Sequence, residues 1–113
     1  MKTIEKPWGK EEILEVNDRY VVKRLTMNKE HRCSTQYHER KRETVYVLEG
    51  LLKVYIGDDV DTLESLLLGP GEYLTLQCYK IHRMEAIEDS VYLEASTPEL
   101  DDVVRLQDDY KRI

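Results

Sequence analysis

The chain has 113 residues, of which 41% are apolar and 35% are charged, and its formal net charge at pH 7 is −6. A chain of this length closes one hydrophobic core, so we expect a single domain over residues 1–113. The negative charge argues against general binding of nucleic acid, because that binding depends on Lys and Arg side chains that neutralise phosphates.

The N-terminal residues interrupt every short apolar run with a charge, so no signal-peptide core is present. The longest uncharged apolar run, residues 66–68, is far shorter than the ~20 residues that cross a bilayer. We therefore expect a cytoplasmic protein without a membrane partner. In a reducing compartment, Cys33 and Cys78 are expected to be free thiols, with Cys78 buried and inert.

Short runs rich in β-branched and aromatic residues, separated by turn residues about every ten positions, predict successive antiparallel hairpins. In chain order the predicted strands are residues 11–16, 19–27, 34–37, 43–48, 52–56, 65–68, 72–76, 82–87 and 90–95. Only residues 98–110 break this period: Pro98 can begin a helix, and the apolar residues after it have helical spacing. The sequence thus predicts a small antiparallel β-barrel with a short C-terminal helix or turn.

Candidate metal ligands lie between residues 34 and 50. Residues two apart on a strand face the same side, so Gln36 and His38 point inward together. A turn over residues 39–42 brings Glu43 beside His38, and His82 follows a strand that can cross the barrel next to this pair. A single His is more often a surface or core residue, but together the four predict one divalent metal site. Nitrogen and oxygen donors without thiolate suit Zn, Mn, Fe, Co or Ni.

The spacing of His38, Glu43 and Gly50 matches the first cupin motif, with Gln36 where the motif usually has its first His. The chain resembles the cupin domain of type II mannose-6-phosphate isomerases over nearly its whole length. The resemblance includes Lys-Pro-Trp-Gly-Lys at 6–10, the strand at 20–23, His-Arg at 82–83, and the closing signature at 101–112. The opening and closing signatures are specific to this family, whereas cupins in general share the His and Glu spacing.

The chain also departs from the family pattern. Lys41, Thr44 and Val45 replace an Arg before the motif Glu and a His-Trp pair after it. Residues 77–79, Gln-Cys-Tyr, replace the Pro-x-Gly that usually precedes the second-motif His, and Lys111 replaces a Gly. We expect an altered pocket wall and a bulkier loop over the metal. Coupling to nucleotide-sugar synthesis is not expected, because the sequence has no pyrophosphorylase domain.

The resemblance implies aldose–ketose isomerisation of a phosphorylated hexose, of the mannose-6-phosphate and fructose-6-phosphate type. It also implies one divalent metal ion, for which zinc is the first candidate. Arg105 is the predicted catalytic cation that stabilises the oxyanion, and its alternative is a surface ion pair with Asp101 or Asp102. Lys23 is the second predicted catalytic residue, and we expect it to be inward and paired. The predicted substrate-binding residues are Lys41, Arg83 and Arg112.

Two alternatives remain at this point. One is a metal-dependent cupin oxygenase, although such sites tend to hold more His ligands. The other is a non-catalytic sugar-binding or regulatory cupin, which the altered 77–79 loop favours. The expected partners are a small sugar or sugar phosphate and a second copy of the chain, since the strand at 11–16 is predicted to be an edge that can pair with a neighbour's sheet.

Overall fold

The computed structural model describes residues 2–113, which form β-strands and one turn of 3-10 helix, Val60–Thr62. The strands are β1 (Lys2–Lys6), β2 (Gly9–Val16), β3 (Val21–Met27), β4 (Thr35–Tyr37), β5 (Glu43–Glu49), β6 (Leu52–Gly57), β7 (Glu64–Leu68), β8 (Tyr73–Leu76), β9 (Ile81–Ala86), β10 (Ser90–Ser96) and β11 (Val104–Gln107). All nine predicted strands form, with ends that differ by one or two residues.

The strands form two antiparallel sheets, which we call the six-stranded sheet and the five-stranded sheet. Their strand orders are β1-β2-β3-β10-β5-β8 and β11-β4-β9-β6-β7. Buried side chains from both sheets, including Leu25 and Val47 from the first and Val54 and Met84 from the second, form one core. The predicted small antiparallel β-barrel is confirmed.

Side chains alternate between inward and outward along each strand, as predicted, and this alternation decides which of them reach the interior. On β5, Val45 and Val47 are buried while Tyr46 and Leu48 are exposed. The same alternation turns Glu43 inward at the start of β5 and His82 inward on β9. The barrel interior therefore receives polar donors at one end and apolar side chains below them.

The sequence did not predict β1, because three of its five residues are charged and mask the alternation. This strand pairs with β2 along its full length. A two-residue turn, Pro7 and Trp8, joins the two strands. At Gly9 (φ +152°), the first residue of β2, a Cβ would lie 1.9 Å from the Thr26 carbonyl oxygen. Since β2 lies between β1 and β3, the prediction that residues 11–16 form an edge was wrong. The edges of this sheet are β1 and β8.

Residues 98–110 form a turn and the strand β11, and the helix suggested by their spacing does not form. The strand β11 pairs with β4 and forms hydrogen bonds with backbone N–H and C=O groups on one edge of β4 that would otherwise have no partner there. Tertiary pairing here overrides a weak local pattern. Nowhere in residues 2–113 is there a helix with the length and hydropathy that crossing a bilayer requires.

Candidate metal centre

Three buried side chains converge at one end of the barrel: His38 after β4, Glu43 at the start of β5, and His82 on β9. Glu43 Oε1 lies 3.3 Å from His38 Nε2 and 3.2 Å from His82 Nε2. One donor atom from each residue lies within 4.8 Å of the other two. This spacing suits three ligands of one ion.

Both imidazole rings are oriented through their other nitrogen. His38 Nδ1 lies 2.5 Å from the Asp102 carbonyl oxygen, and His82 Nδ1 lies 2.9 Å from the Lys80 carbonyl oxygen. A carbonyl oxygen only accepts, so each Nδ1 carries a hydrogen and the Nε2 of each ring faces Glu43 Oε1. A hydrogen bond from Nδ1 to a carbonyl oxygen is the usual second contact of a metal-bound His, so both Nε2 atoms are placed to join the Glu43 carboxylate as ligands of one ion.

Gln36 lies directly opposite His82 in the pairing of β4 with β9. Its amide nitrogen donates to the Ser34 carbonyl oxygen at 3.3 Å and to the Ser34 hydroxyl at 3.1 Å. This hydrogen bonding leaves the amide oxygen of Gln36 as its candidate donor to a metal. The structure thus brings all four predicted ligands to one cavity, and three of them converge in one cluster.

Lys41 holds the second oxygen of the Glu43 carboxylate. Its Nζ is 3.3 Å from Glu43 Oε2 and 3.1 Å from Glu94 Oε2, and all three side chains are buried. Burial alone would raise the pKa of Glu43, but hydrogen bonds from His38 and His82 and the charge of Lys41 hold this pKa well below its ordinary value. Glu43 is therefore a carboxylate, with Oε1 directed at the imidazoles.

A second buried ion pair lines the same cavity. Lys23 points inward and is paired, as predicted, but its partner is Glu11, whose Oε2 lies 3.1 Å from Lys23 Nζ. Glu94 lies opposite Lys23 in the pairing of β10 with β3. Burial, and then the charge of Glu43, raise the pKa of Glu94 to about 7, while Lys41 and Lys23 oppose this rise. Sequence reasoning missed Glu11, although a charge at an inward position of an alternating strand was the available signal.

The cavity above the cluster has a volume of about 430 Å³. The cationic side chains that line it are Lys2, Lys6, Lys23, Lys41, Arg105 and Arg112, and the carboxylates are Glu11, Glu43, Glu94 and Asp101. The lining therefore carries more positive than negative groups, whereas the whole chain carries −6. A concave site of this kind attracts anionic ligands.

Arg105 is one of the cations that line the cavity, and its Nε atom has no partner. That atom is buried and has no hydrogen-bond partner among residues 2–113. The alternative ion pair with Asp101 or Asp102 does not form among residues 2–113. The Asp102 carboxylate instead accepts from the backbone N–H groups of residues 39–41. Arg105 also lies opposite Gln36 in the pairing of β11 with β4, which places it beside the candidate ligands.

The other two predicted substrate-binding residues, Arg112 and Arg83, differ in whether they line the cavity. Arg112 lines the cavity and donates to Asp108 through two guanidinium nitrogens at 2.7 and 3.0 Å. Arg83 is buried outside the cavity lining, where it donates to the Cys33 carbonyl oxygen and to Asp109. Since His82 points inward, its strand neighbour Arg83 points to the other face, so its position does not support the predicted contact with substrate.

The loop at residues 77–80 packs behind His38. The Tyr79 N–H donates to the His38 carbonyl oxygen at 2.6 Å, and the Tyr79 ring stacks on Tyr37 with centroids 5.9 Å apart. Cys78 is partly exposed rather than buried, while Cys33 is buried, lines the cavity and has its thiol pKa raised to about 11 by burial. Both thiols are free.

Residues 1–108 match the family model described as "Mannose-6-phosphate isomerase C-terminal". A mannose-1-phosphate guanylyltransferase of Escherichia coli K12 is 31% identical over 99% of this chain, which covers 23% of that protein. A related protein of Salmonella typhimurium, the guanylyltransferase ManC, is 30% identical with the same coverage. The chain thus spans about a quarter of the length of these relatives.

Solved cupin structures share the fold. The structure of KdgF from a Halomonas species superposes with a TM-score of 0.78 at 19% identity, over 89% of this chain and 91% of that one. A Bacillus subtilis oxalate decarboxylase with Mn(II) centres superposes with a TM-score of 0.79 at 18% identity, over 94% of this chain and 30% of that one. At these identities the likeness is one of fold, and it agrees with the cupin resemblance.

Proposed function

Because this chain belongs to the mannose-6-phosphate isomerase C-terminal family, we propose that it is a metal-dependent cupin that binds a phosphorylated hexose and interconverts its aldose and ketose forms. The observation that carries the proposal is the convergence of His38 Nε2, His82 Nε2 and Glu43 Oε1 beneath a cavity rich in cations. The donors suit a divalent metal, and the cations suit a sugar phosphate.

His38, Glu43 and His82, with the amide oxygen of Gln36, would hold the ion, and zinc is the first candidate for this set. When bound, a divalent metal supplies Lewis-acid polarisation of a carbonyl oxygen. The residues around the ion would stabilise charge on the substrate and move the proton. Arg105, with its buried and unpartnered Nε, stabilises the negative charge that develops on substrate oxygen.

The isomerisation also moves a proton between neighbouring carbon atoms. The group that carries it must lie in the cavity and outside the metal set. Glu11, Glu94 and Asp101 meet both conditions, and of these three Glu94 is the one that Lys41 links to the candidate ligand Glu43. We therefore assign Glu94 as the group that takes the proton from one carbon and returns it to the next. Lys23 and Glu11 form an ion pair between neighbouring strands. In this proposal Lys23 is the cation that binds the phosphate group of the sugar.

The test is an assay of a panel of hexose phosphates with the metal-stripped protein, reloaded with Zn or Mn. Interconversion of mannose 6-phosphate and fructose 6-phosphate supports the proposal, with the His38→Ala variant as the inactive control. Sugar-phosphate binding without turnover indicates the non-catalytic alternative. Oxygen uptake after loading with Fe indicates the oxygenase alternative. Either result contradicts the isomerase proposal.

Replacing Arg105 with alanine should lower turnover ~100-fold, which corresponds to about 3 kcal/mol of transition-state stabilisation. The change should leave the KM nearly unaltered, because the charge that Arg105 meets develops only during the reaction. Steady-state kinetics together with metal analysis measure both quantities. Parental turnover in a metal-loaded Arg105→Ala protein would show that Arg105 is not the catalytic cation.

Replacing Lys23 with alanine should instead raise the KM with a smaller effect on turnover, since a cation for the phosphate binds the ground state and the transition state alike. The Lys23→Ala, Glu11→Gln double variant removes the buried partner as well and serves as the folding control. An unchanged KM in both proteins would assign Lys23 to structure alone.

A further inference from the structure

The outward side of the six-stranded sheet carries a continuous apolar surface, which we call the apolar face. It extends over β3, β10, β5 and β8, whose other side chains point into the core. Cross-strand pairs make it continuous: Tyr46 lies opposite both Leu93 and Tyr73. The uncharged outward residues are Val22, Thr26, Thr44, Tyr46, Leu48, Tyr73, Thr75, Val91, Leu93 and Ala95.

Exposure and charge distinguish this face from the rest of the surface. Tyr73 is 67% exposed, and Tyr46 and Leu48 are 41% and 40% exposed. Charged residues make up 35% of the chain, yet the charged residues among the outward positions are Arg24, which Glu12 neutralises through two hydrogen bonds, and Glu49 at one end of the face. A continuous apolar patch on a soluble domain usually marks an interaction surface.

The two ends of the apolar face carry opposite charge. At the end where β5 begins, Arg19 and Arg42 border a cleft of about 460 Å³ that includes Thr44 and Thr75. The ion-paired arginines of residues 2–113 are Arg24, Arg32, Arg83 and Arg112, so Arg19 and Arg42 keep their charge free. At the opposite end, where β5 finishes and β8 and β10 begin, acidic residues predominate: Glu49, Glu72 and Glu88, of which Glu88 pairs with Lys29.

We propose that two copies of this chain form a dimer by packing their apolar faces together, with the two-fold axis in the interface and perpendicular to the strands. Such an axis reverses the strand direction, so the Arg19 and Arg42 end of each copy meets the Glu49 end of the other. A two-fold axis parallel to the strands would instead place the arginine end of one copy against the arginine end of the other. Charge complementarity therefore selects both the partner, a second copy, and its orientation.

The face spans four strands at a spacing of about 4.8 Å, as in sheets that pack face to face. Specific complexes bury at least about 1,200 Å² in total, and interfaces near this lower limit belong to weak complexes. For a face of four short strands we expect a dissociation constant on the order of micromolar. The cavity is lined by inward side chains of both sheets, so a dimer through the outward apolar face does not cover the candidate metal centre.

Sedimentation velocity across the micromolar range tests the interface. Wild-type protein should be dimeric at about 100 μM, and Tyr46→Asp should be monomeric because it places a charge at the centre of the face. Leu67→Asp is the matched control, since Leu67 is 55% exposed on β7 of the other sheet. Circular dichroism verifies that each variant is folded. A monomeric wild type, or a monomeric Leu67→Asp, overturns the proposal.

The orientation has its own test. Arg42→Glu and Glu49→Arg should each weaken the dimer about tenfold, and the double variant should regain most of the lost affinity, because the reversed charges meet again across the two-fold axis. Neither residue belongs to the candidate metal centre, so the metal content should stay parental in all three proteins. Additive weakening in the double variant overturns the proposed axis.

Discussion

Replacing His82 with alanine should abolish the binding of divalent metal by this chain. His82 supplies one of three converging donors, and its Nε2 lies 3.2 Å from Glu43 Oε1. Loss of a group that only orients a ligand typically costs 10- to 100-fold in metal affinity, so loss of a ligand should cost at least ~100-fold. Turnover should fall further than in Arg105→Ala, since polarisation of the substrate carbonyl is lost with the metal.

Elemental analysis and isothermal titration with Zn and Mn measure this effect. His31→Ala is the matched control, because His31 contacts Tyr110 at 2.7 Å and lies outside the cavity lining. The control should retain the parental metal content. Equal metal content in the wild type, His82→Ala and His38→Ala would show that these residues do not form a metal site.

The second large effect concerns stability. Replacing Lys41 with methionine should lower the free energy of unfolding by about 3–5 kcal/mol, because it leaves Glu43 and Glu94 buried without their shared cation. Burial opposes the charge of Lys41, but the carboxylates of Glu94 and Glu43 raise its pKa above the ordinary value. The ammonium group is therefore charged in the folded protein and stabilises both carboxylates.

Chemical denaturation of the metal-free protein measures this change without a contribution from metal binding. Lys80→Met is the matched control: its ion pair with Asp58 is at the surface, where Asp58 is 88% exposed, and should contribute less than about 1 kcal/mol. The triple variant Lys41→Met, Glu43→Gln, Glu94→Gln should recover part of the loss. A Lys41→Met protein as stable as Lys80→Met would contradict the assigned role of Lys41.

Most of the strands could be predicted because each of them alternates inward and outward residues by itself. Gln36, His38 and Glu43 could be selected for a related reason, since they are close in sequence and lie on two segments joined by one turn. His82 was selected because the turn and strand before it can bring it beside them. The strand β11 could not be predicted, since its pairing with β4 joins residues about 70 positions apart, and helical spacing of the same residues was the stronger local pattern.

The roles of the charged residues also depended on distant contacts. Lys41 was expected to contact substrate, yet its Nζ lies between Glu43 and Glu94, the latter 53 positions away. The outward position of Arg83 follows from the inward direction of His82. Such pairings depend on which strands become neighbours, and this order is a property of the whole sheet.

By itself the sequence determined the fold class, because period-two alternation is a local property of the chain, and it pointed to His38 and Glu43 as candidate ligands through their local spacing. Only the tertiary structure decided which imidazole nitrogen is free to bind a metal. That choice depends on the Asp102 carbonyl oxygen, 64 residues from His38, and on Lys80 beside His82. Strand order likewise decided that Glu11, Lys23 and Glu94 share one cavity, because antiparallel pairing places side chains from distant segments on the same face.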